Sequence, residues 1–371
     1  MRIVHYQPQL RGPESGTSNA GRGWCEAFAR QGVDVLGLVD RAAISRPSPH
    51  GTETVPLEHS LPGALRIPRG IPQRIEGADV VVLHGGWLLS NVVVGRACLR
   101  ANVPFIVTTH GVYLPEVLQR RTFVKRAWAA LLERRHLESA TAIHVFFPEE
   151  QASMEQSMDI RIPTIVAPNG IVLPEGVGWD GGSGGYLLWF GRFDPMNKGL
   201  DLLVRAVERF PPSQRPQLRL HGPDWRNQKQ GVHRLVSELG VERWVAIGDS
   251  VYGDEKWELM SKAGGCVYPS RWDACPVAVS EAAAVGVPTL VTHYPLGNFL
   301  ASKEAAIQVD PDPSSIADGI VRLTSSQAAA VGSNAASVAR RHLSWDAVAR
   351  SWLDQLRGLL DPPRGPVERD D

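Results

Sequence analysis

Four residues in the second half of this 371-residue chain have the types and spacing to do chemistry together: Arg192, Lys198, Asp273 and Glu281. The two acids are separated by seven residues. Asp273 lies in a polar elbow, 270–275, that follows an apolar run at 266–269. Glu281 falls inside the apolar helix predicted by Val277, Val279 and 282–285 and stopped by Gly286. Pro276 suits the first turn of that helix, where its missing N–H would have no partner anyway. A carboxylate at Glu281 is costly to bury alone, and the helix start beside Asp273 attracts anions. Asp273 also has a plainer reading, as the cap of that helix. Arg192 and Lys198 come just after the predicted strand 186–190, with Lys198-Gly199 opening the next helix. Two cations and a helix start at one place suit a diphosphate.

The first half carries its own candidates. Two predicted buried strands, 79–83 and 104–109, each run into His-Gly, at His84-Gly85-Gly86 and His110-Gly111. In open α/β sheets ligands gather beyond the carboxyl ends of strands, so both imidazoles should face one crevice. A strand-end histidine can equally be a hydrogen-bonded structural residue. The stretch 7–21 is glycine-rich, but Gly12, Gly16, Gly21 and Gly23 miss the G-x-G-x-x-G spacing. It reads either as a flexible turn or as backbone amides brought against a phosphate.

Positioning these groups takes a repeating β-α scaffold. Strands are expected at 3–6, 33–39, 79–83, 104–109, 141–146 and 164–167, with the first helix over 22–30 and 41–72 too weakly patterned to assign. A long helical stretch, 115–140, shows an apolar stripe at Val117, Val124, Trp128, Leu131 and Leu132. Its other faces carry Arg120, Arg121, Lys125, Arg126, Arg134 and Arg135, a solvated face or a surface for anionic lipid. The Gly/Pro-rich segment 173–185 is the linker, after which the rhythm restarts at 186–190, 218–220, 244–247, 266–269, 287–291 and 306–309. The result is an α/β chain of two doubly wound domains, 1–173 and 174–344, with the helix 345–360 crossing back onto the first and a disordered tail at 361–371.

Bulk composition narrows the function. Lys+Arg and Asp+Glu are both 39, so no global field draws the chain to nucleic acid. Cys25, Cys98, Cys266 and Cys275 form no C-x-x-C pair, as expected of reduced core thiols in a cytoplasmic protein. No opening basic and apolar run suggests a signal peptide, and no run approaches the ~20 apolar residues of a membrane helix. Asp310-Pro311-Asp312 resembles a metal-binding triplet, but the following Pro313-Ser314-Ser315 makes a loop and helix start the better reading.

Gly191-Arg192-Phe193, Lys198-Gly199, and Asp273 with Glu281 resemble a retaining glycosyltransferase of family 4, with the GT-B fold of two Rossmann-like domains facing each other across a cleft. Thr109-His110-Gly111, Pro168-Asn169-Gly170, LLERRHLESAT at 131–141, and Trp345 and Trp352 in the final helix extend the likeness along nearly the whole chain. The resemblance implies that Arg192 and Lys198 hold the pyrophosphate of a nucleotide-sugar donor, and that Glu281 accepts from its ribose. Asp273, with Gly191 and the backbone of Ala274, Cys275, Pro276 and Val277, would contact the donor; Gly16 and Thr17 would close on the phosphate, and His110 would stand near the reacting sugar. The family usually has Glu where this chain has Asp273, one methylene shorter. The expected activity is metal-independent hexosyl transfer to a hydroxyl acceptor, with no cofactor beyond the donor and a peripheral contact with anionic membrane through the basic helix. The rival readings are a non-catalytic binding protein on the same scaffold, and a phosphorylase or epimerase of the same shape.

Overall fold

The computed structural model describes residues 1–8, 16–39, 52–60, 66–118 and 127–360, with backbone alone at 16–18. They form two compact units: Met1–Gly170 together with the helix Trp345–Leu360, and Ile171–Ser344.

In the first unit the strands β1 (Arg2–Gln7), β2 (Asp34–Val39), β3 (Glu53–Pro56), β4 (Val80–His84), β5 (Phe105–Thr108), β6 (Ala142–Val145) and β7 (Thr164–Val166) make one parallel sheet, in the order β3-β2-β1-β4-β5-β6-β7. Successive strand residues point to opposite faces, and both faces are buried, which is why these strands are continuous apolar runs. Val4, Tyr6, Leu36, Leu38, Val81 and Leu83 pack on one side. Ile3, Val35, Val80, Val82 and Ile106 pack on the other, against Trp24 and Phe28 of the helix Gly16–Arg30 and Trp345 and Trp352 of the last helix. Trp24 lies edge-on to Trp345, and Phe28 sits 5.4 Å from Trp24 and 4.8 Å from Trp352.

The first helix begins at Gly16, not at 22, so part of the expected glycine-rich loop is helical. Packing overrides propensity here: a Cβ at Gly23 would overlap the Trp345 indole, and glycine alone lets the two helices approach. Residues 9–15, with Gly12, lie outside the described residues, as do Arg120, Arg121, Lys125, Arg126 and the tail 361–371. The weakly patterned stretch 41–72 supplies β3 and the start of a short helix, Ile71–Ile75, that sequence periodicity did not reveal.

The stretch expected as one long helix contains the short helix Pro115–Leu118, then a wide five-residue turn at Ala129–Glu133 that runs into Arg134–Glu138. Leu131, assigned to the apolar stripe, is 69% exposed; the buried face is Glu133, His136, Leu137 and Ala140. The extra residue in the turn shifts the register, and Glu133 sets it. Its carboxylate accepts from the Tyr113 hydroxyl, from Trp128 Nε1 at 2.7 Å and from the Trp87 N–H at 2.8 Å.

The second unit repeats the plan with β8 (Tyr186–Phe190), β9 (Gln217–His221), β10 (Val245–Gly248), β11 (Gly265–Tyr268), β12 (Thr289–Val291) and β13 (Ile307–Gln308), all parallel, in the order β10-β9-β8-β11-β12-β13. Strand order reverses between β1 and β4 in one sheet and between β8 and β11 in the other. Ligands of open α/β sheets sit beyond the carboxyl ends of strands at such points. All four cysteines are free and buried.

Trp352→Ala should cost the first unit about 3–5 kcal/mol, because the cavity would lie among the rings of Trp24, Phe28 and His144. Leu99→Ala, at a half-exposed site, should cost under ~0.5 kcal/mol. Denaturant titration of the two variants checks this, and equal effects would refute the packing account.

Candidate functional site

At the reversal in the second sheet, the loops after β8 and β11 meet. The first runs from Gly191 through the short helix Pro195–Lys198, whose start is capped by the Asp194 side chain. Gly199 then takes a left-handed conformation (φ 65°) with its Cα pressed against the Pro269 carbonyl, a place with no room for a side chain. The second loop is stitched to the first at several points. Asn197 Nδ2 donates to the Trp272 carbonyl at 2.6 Å, the Arg271 N–H to the Asn197 carbonyl at 2.9 Å, and Arg271 grips Asp201 with two bonds of 2.8 Å. Arg–carboxylate forks of this kind fix geometry as well as charge.

Lys198 and Asp273, far apart in sequence, are consequently brought into a direct ion pair, each side chain only 18% exposed. The other Asp273 oxygen accepts from the Ala274 N–H at 3.0 Å. Asp273 therefore does not cap the next helix, Val277–Val285, whose start at Pro276 has no side-chain cap. Ala274 and Cys275 are buried beside the pair, with Pro276 and Val277 partly open. Gly191 holds the end of β8 to β9 through its N–H and the His221 carbonyl, 3.0 Å apart.

Arg192 is the open cation of the group at 43% exposure, 3.8 Å from Asp194. Its guanidinium lies 4.4 Å over the ring of Trp225, a stacking plate that holds it without neutralising it. Glu281 is inside the apolar helix as expected, and Lys256 of the helix Gly253–Ser261 meets it at 2.6 Å. Burial pushes the Glu281 carboxyl up, and the Lys256 ammonium pulls it partly back.

The first unit holds the remaining candidates. Gly16 and Thr17 open the helix Gly16–Arg30 beyond β1. His84 ends β4, and His110 follows β5 in a left-handed backbone (φ 49°) that a non-glycine residue adopts only when its surroundings impose it. The two imidazoles are hydrogen-bonded at 2.9 Å, so the strand-end pair does share one crevice. Thr109 is tethered by the buried Glu150, whose carboxyl is pushed up to about 7 by burial and accepts from the N–H groups of Phe146 and Phe147. Asp312 caps the helix Pro313–Leu323 through the N–H groups of Ser314 and Ser315, and Asp310 meets His293. The triplet is a helix start, as its sequence suggested.

Sequence reading missed Lys256 and Trp225, which stand on neighbouring elements with no motif around them, and His5, discussed below. A signal existed for His5: it is a third histidine near a strand end, level with Val82 and so two residues before His84 in the register of β1 and β4. Lys256→Met leaves Glu281 without its counter-charge and should cost about 1–3 kcal/mol. Adding Glu281→Gln should restore part of that loss in the same denaturation assay; no recovery would mean the pair does not stabilise the fold.

Residues 15–170 match the family described as glycosyl transferase 4-like domain, and residues 184–326 match the one described as glycosyl transferases group 1. No curated protein matches in sequence. Among solved structures, the chain is similar to sucrose-phosphate synthase from Thermosynechococcus elongatus, with TM-score 0.77 and 21% identity over 97% of this chain and 99% of that one. It is also similar to Anabaena Alr3699/HepE in complex with UDP-glucose, with TM-score 0.75 and 16% identity over 96% and 100%. A third is WaaG, a glycosyltransferase involved in lipopolysaccharide biosynthesis, with TM-score 0.67 and 17% identity over 95% and 98%. The shared fold of two parallel-sheet Rossmann-like domains, with family matches along most of the sequence, places the chain among the glycosyltransferases of GT-B fold.

Proposed function

We propose that the protein moves a hexose-type sugar from a nucleotide-sugar donor to a hydroxyl acceptor with retention of anomeric configuration and without a metal, in glycan, glycolipid or natural-product biosynthesis. The observation that carries this reading is the Lys198–Asp273 pair at the strand-order reversal of the second sheet, with Arg192 held open beside it on Trp225. The similar Anabaena protein binds UDP-glucose, which supports a nucleotide sugar as donor.

In this reading the diphosphate competes with the Asp273 carboxylate for Lys198, because it brings more negative charge to the same ammonium. Arg192 swings little, since the indole already fixes its plane, and takes the second phosphate. Asp273 turns to the sugar hydroxyls, Glu281 accepts from the ribose, and the backbone of Gly191 and of 274–277 lines the donor. Gly16 and Thr17 offer helix-start amides, and His110 faces the reacting sugar. As the glycosidic bond breaks, negative charge grows on the departing diphosphate. Cations already in place stabilise that charge more than the bound ground state, which is what accelerates the reaction.

The basic segment is proposed as a peripheral contact with anionic membrane. Arg134 is partly engaged by Glu138 and Asp159, while Arg135 and Leu131 are exposed. Flotation with anionic vesicles should carry the protein upward; its absence removes this contact. No helix among the described residues is long and apolar enough to cross a membrane.

Arg192→Ala and Lys198→Ala should each lower turnover by at least ~100-fold, about 3 kcal/mol of barrier, with the melting temperature of Arg192→Ala unchanged. Donor turnover, followed as release of nucleoside diphosphate with a glycosylated product, should persist in EDTA. Near-normal transfer by either variant, or complete loss on chelation, would overturn the assignment.

A further inference from the structure

Three imidazoles stand in line along the carboxyl edge of the first sheet. His5, near the end of β1, meets His84, at the end of β4, through Nδ1 and Nε2 at 2.9 Å. His84 in turn meets His110 through Nδ1 and Nε2, also at 2.9 Å. The first contact spans the point where strand order reverses, since β1 and β4 are neighbours. Phe28 and Phe146 flank the row, and His5 is 1% exposed. Burial, aided by the neighbouring histidines, holds His5 and His110 down to about 3 and His84 well below the usual imidazole range. All three are neutral, with one ring proton each.

A neutral row of three permits only two arrangements. His84 has one proton: if it is on Nδ1, His84 donates to His110 and accepts from His5. If it is on Nε2, both bonds reverse. The ends decide between them. Among the described residues, His5 Nε2 is buried with no partner. The reversed arrangement would place an N–H there, and buried N–H groups without acceptors are rarer than buried acceptors without donors. The forward arrangement leaves only a lone pair at that end. It puts the last proton on His110 Nδ1, which no group bonds among the described residues and which is not sealed from solvent. A fourth histidine is outside the row. His144 Nε2 donates to the Ala167 carbonyl at 2.8 Å and Nδ1 accepts from the Thr108 hydroxyl at 3.1 Å, so its tautomer is already fixed.

We propose that His5 and His84 are positioning residues that lock His110 in its Nδ1–H tautomer, so that His110 meets the bound sugar or phosphate as a hydrogen-bond donor and not as a base. The tautomer of one ring nitrogen is set by the bond the other makes, and here that bond is relayed across three strands. The consequence for transfer rests on the reading of His110 as a site residue; the lock itself does not.

The test is a long-range proton–nitrogen correlation spectrum of the full chain labelled with 15N-histidine. His110, assigned by its loss in His110→Ala, should show a protonated Nδ1 and a bare Nε2, with His144 showing the opposite pattern. His84→Phe should return His110 to a mixture of tautomers and lower kcat on the order of tenfold or more, with the affinity for nucleoside diphosphate unchanged. His84→Gln, whose amide can accept from His5 and donate to His110, should recover much of both. A bare Nδ1 on His110 in the unmodified protein, or an unchanged His110 spectrum in His84→Phe, overturns the inference. Normal turnover by His110→Ala, with the tautomer as predicted, would overturn instead the placement of His110 at the reacting sugar.

Discussion

The second unit depends on keeping two carboxylates inside largely apolar surroundings without leaving either uncompensated. Asp273 and Glu281 each meet a lysine from a separate element. Removing one member of a buried pair costs far more than the pair itself contributes, because the partner charge is then stranded. That asymmetry ties the loop after β8 to the loop after β11, and the helix Gly253–Ser261 to the helix Val277–Val285. The glycine at 199 and the Arg271–Asp201 fork serve the same end, since they bring Lys198 to Asp273. In the proposed reaction, cations held this way are already oriented before a diphosphate arrives. Little reorganisation remains to be done during the reaction.

The first unit solves a different problem with neutral groups. Its candidate side chains are histidines stripped of charge by burial, linked in a row and braced by aromatic rings. Among the described residues, Glu133 and Glu150 are anchored by donors and not by cations. One unit thus presents fixed charge and the other fixed hydrogen-bond direction.

Much of this was legible in the sequence because parallel sheets buried on both faces write themselves as apolar runs. Strand ends and the elbow carrying Asp273 could both be read that way. The acid spacing and the Arg192/Lys198 pair marked the second-unit site, and the two His-Gly strand ends foretold the contact between His84 and His110. Residues 16–21 of the helix Gly16–Arg30 were read as loop, since a glycine that permits close packing, as Gly21 does against Gln7, looks the same as a glycine that permits a turn. The register of the Ala129–Glu133 turn was hidden for a related reason: a buried Glu with three donors breaks the apolar pattern on which periodicity relies. Lys256, Trp225 and His5 matter only through what lies across space from them, and single residues carry no spacing.

The account stands on Lys198 as a diphosphate ligand held in readiness by Asp273. The most direct measurement is calorimetric titration of UDP, GDP and ADP, and of their monophosphates, into the unmodified protein and Lys198→Ala. The diphosphate of the preferred base should bind more tightly than its monophosphate, by tenfold or more (about 1.4 kcal/mol), and most of that advantage should vanish in Lys198→Ala. An advantage of the same size in the variant would show that the second phosphate is held elsewhere, and would contradict the central claim.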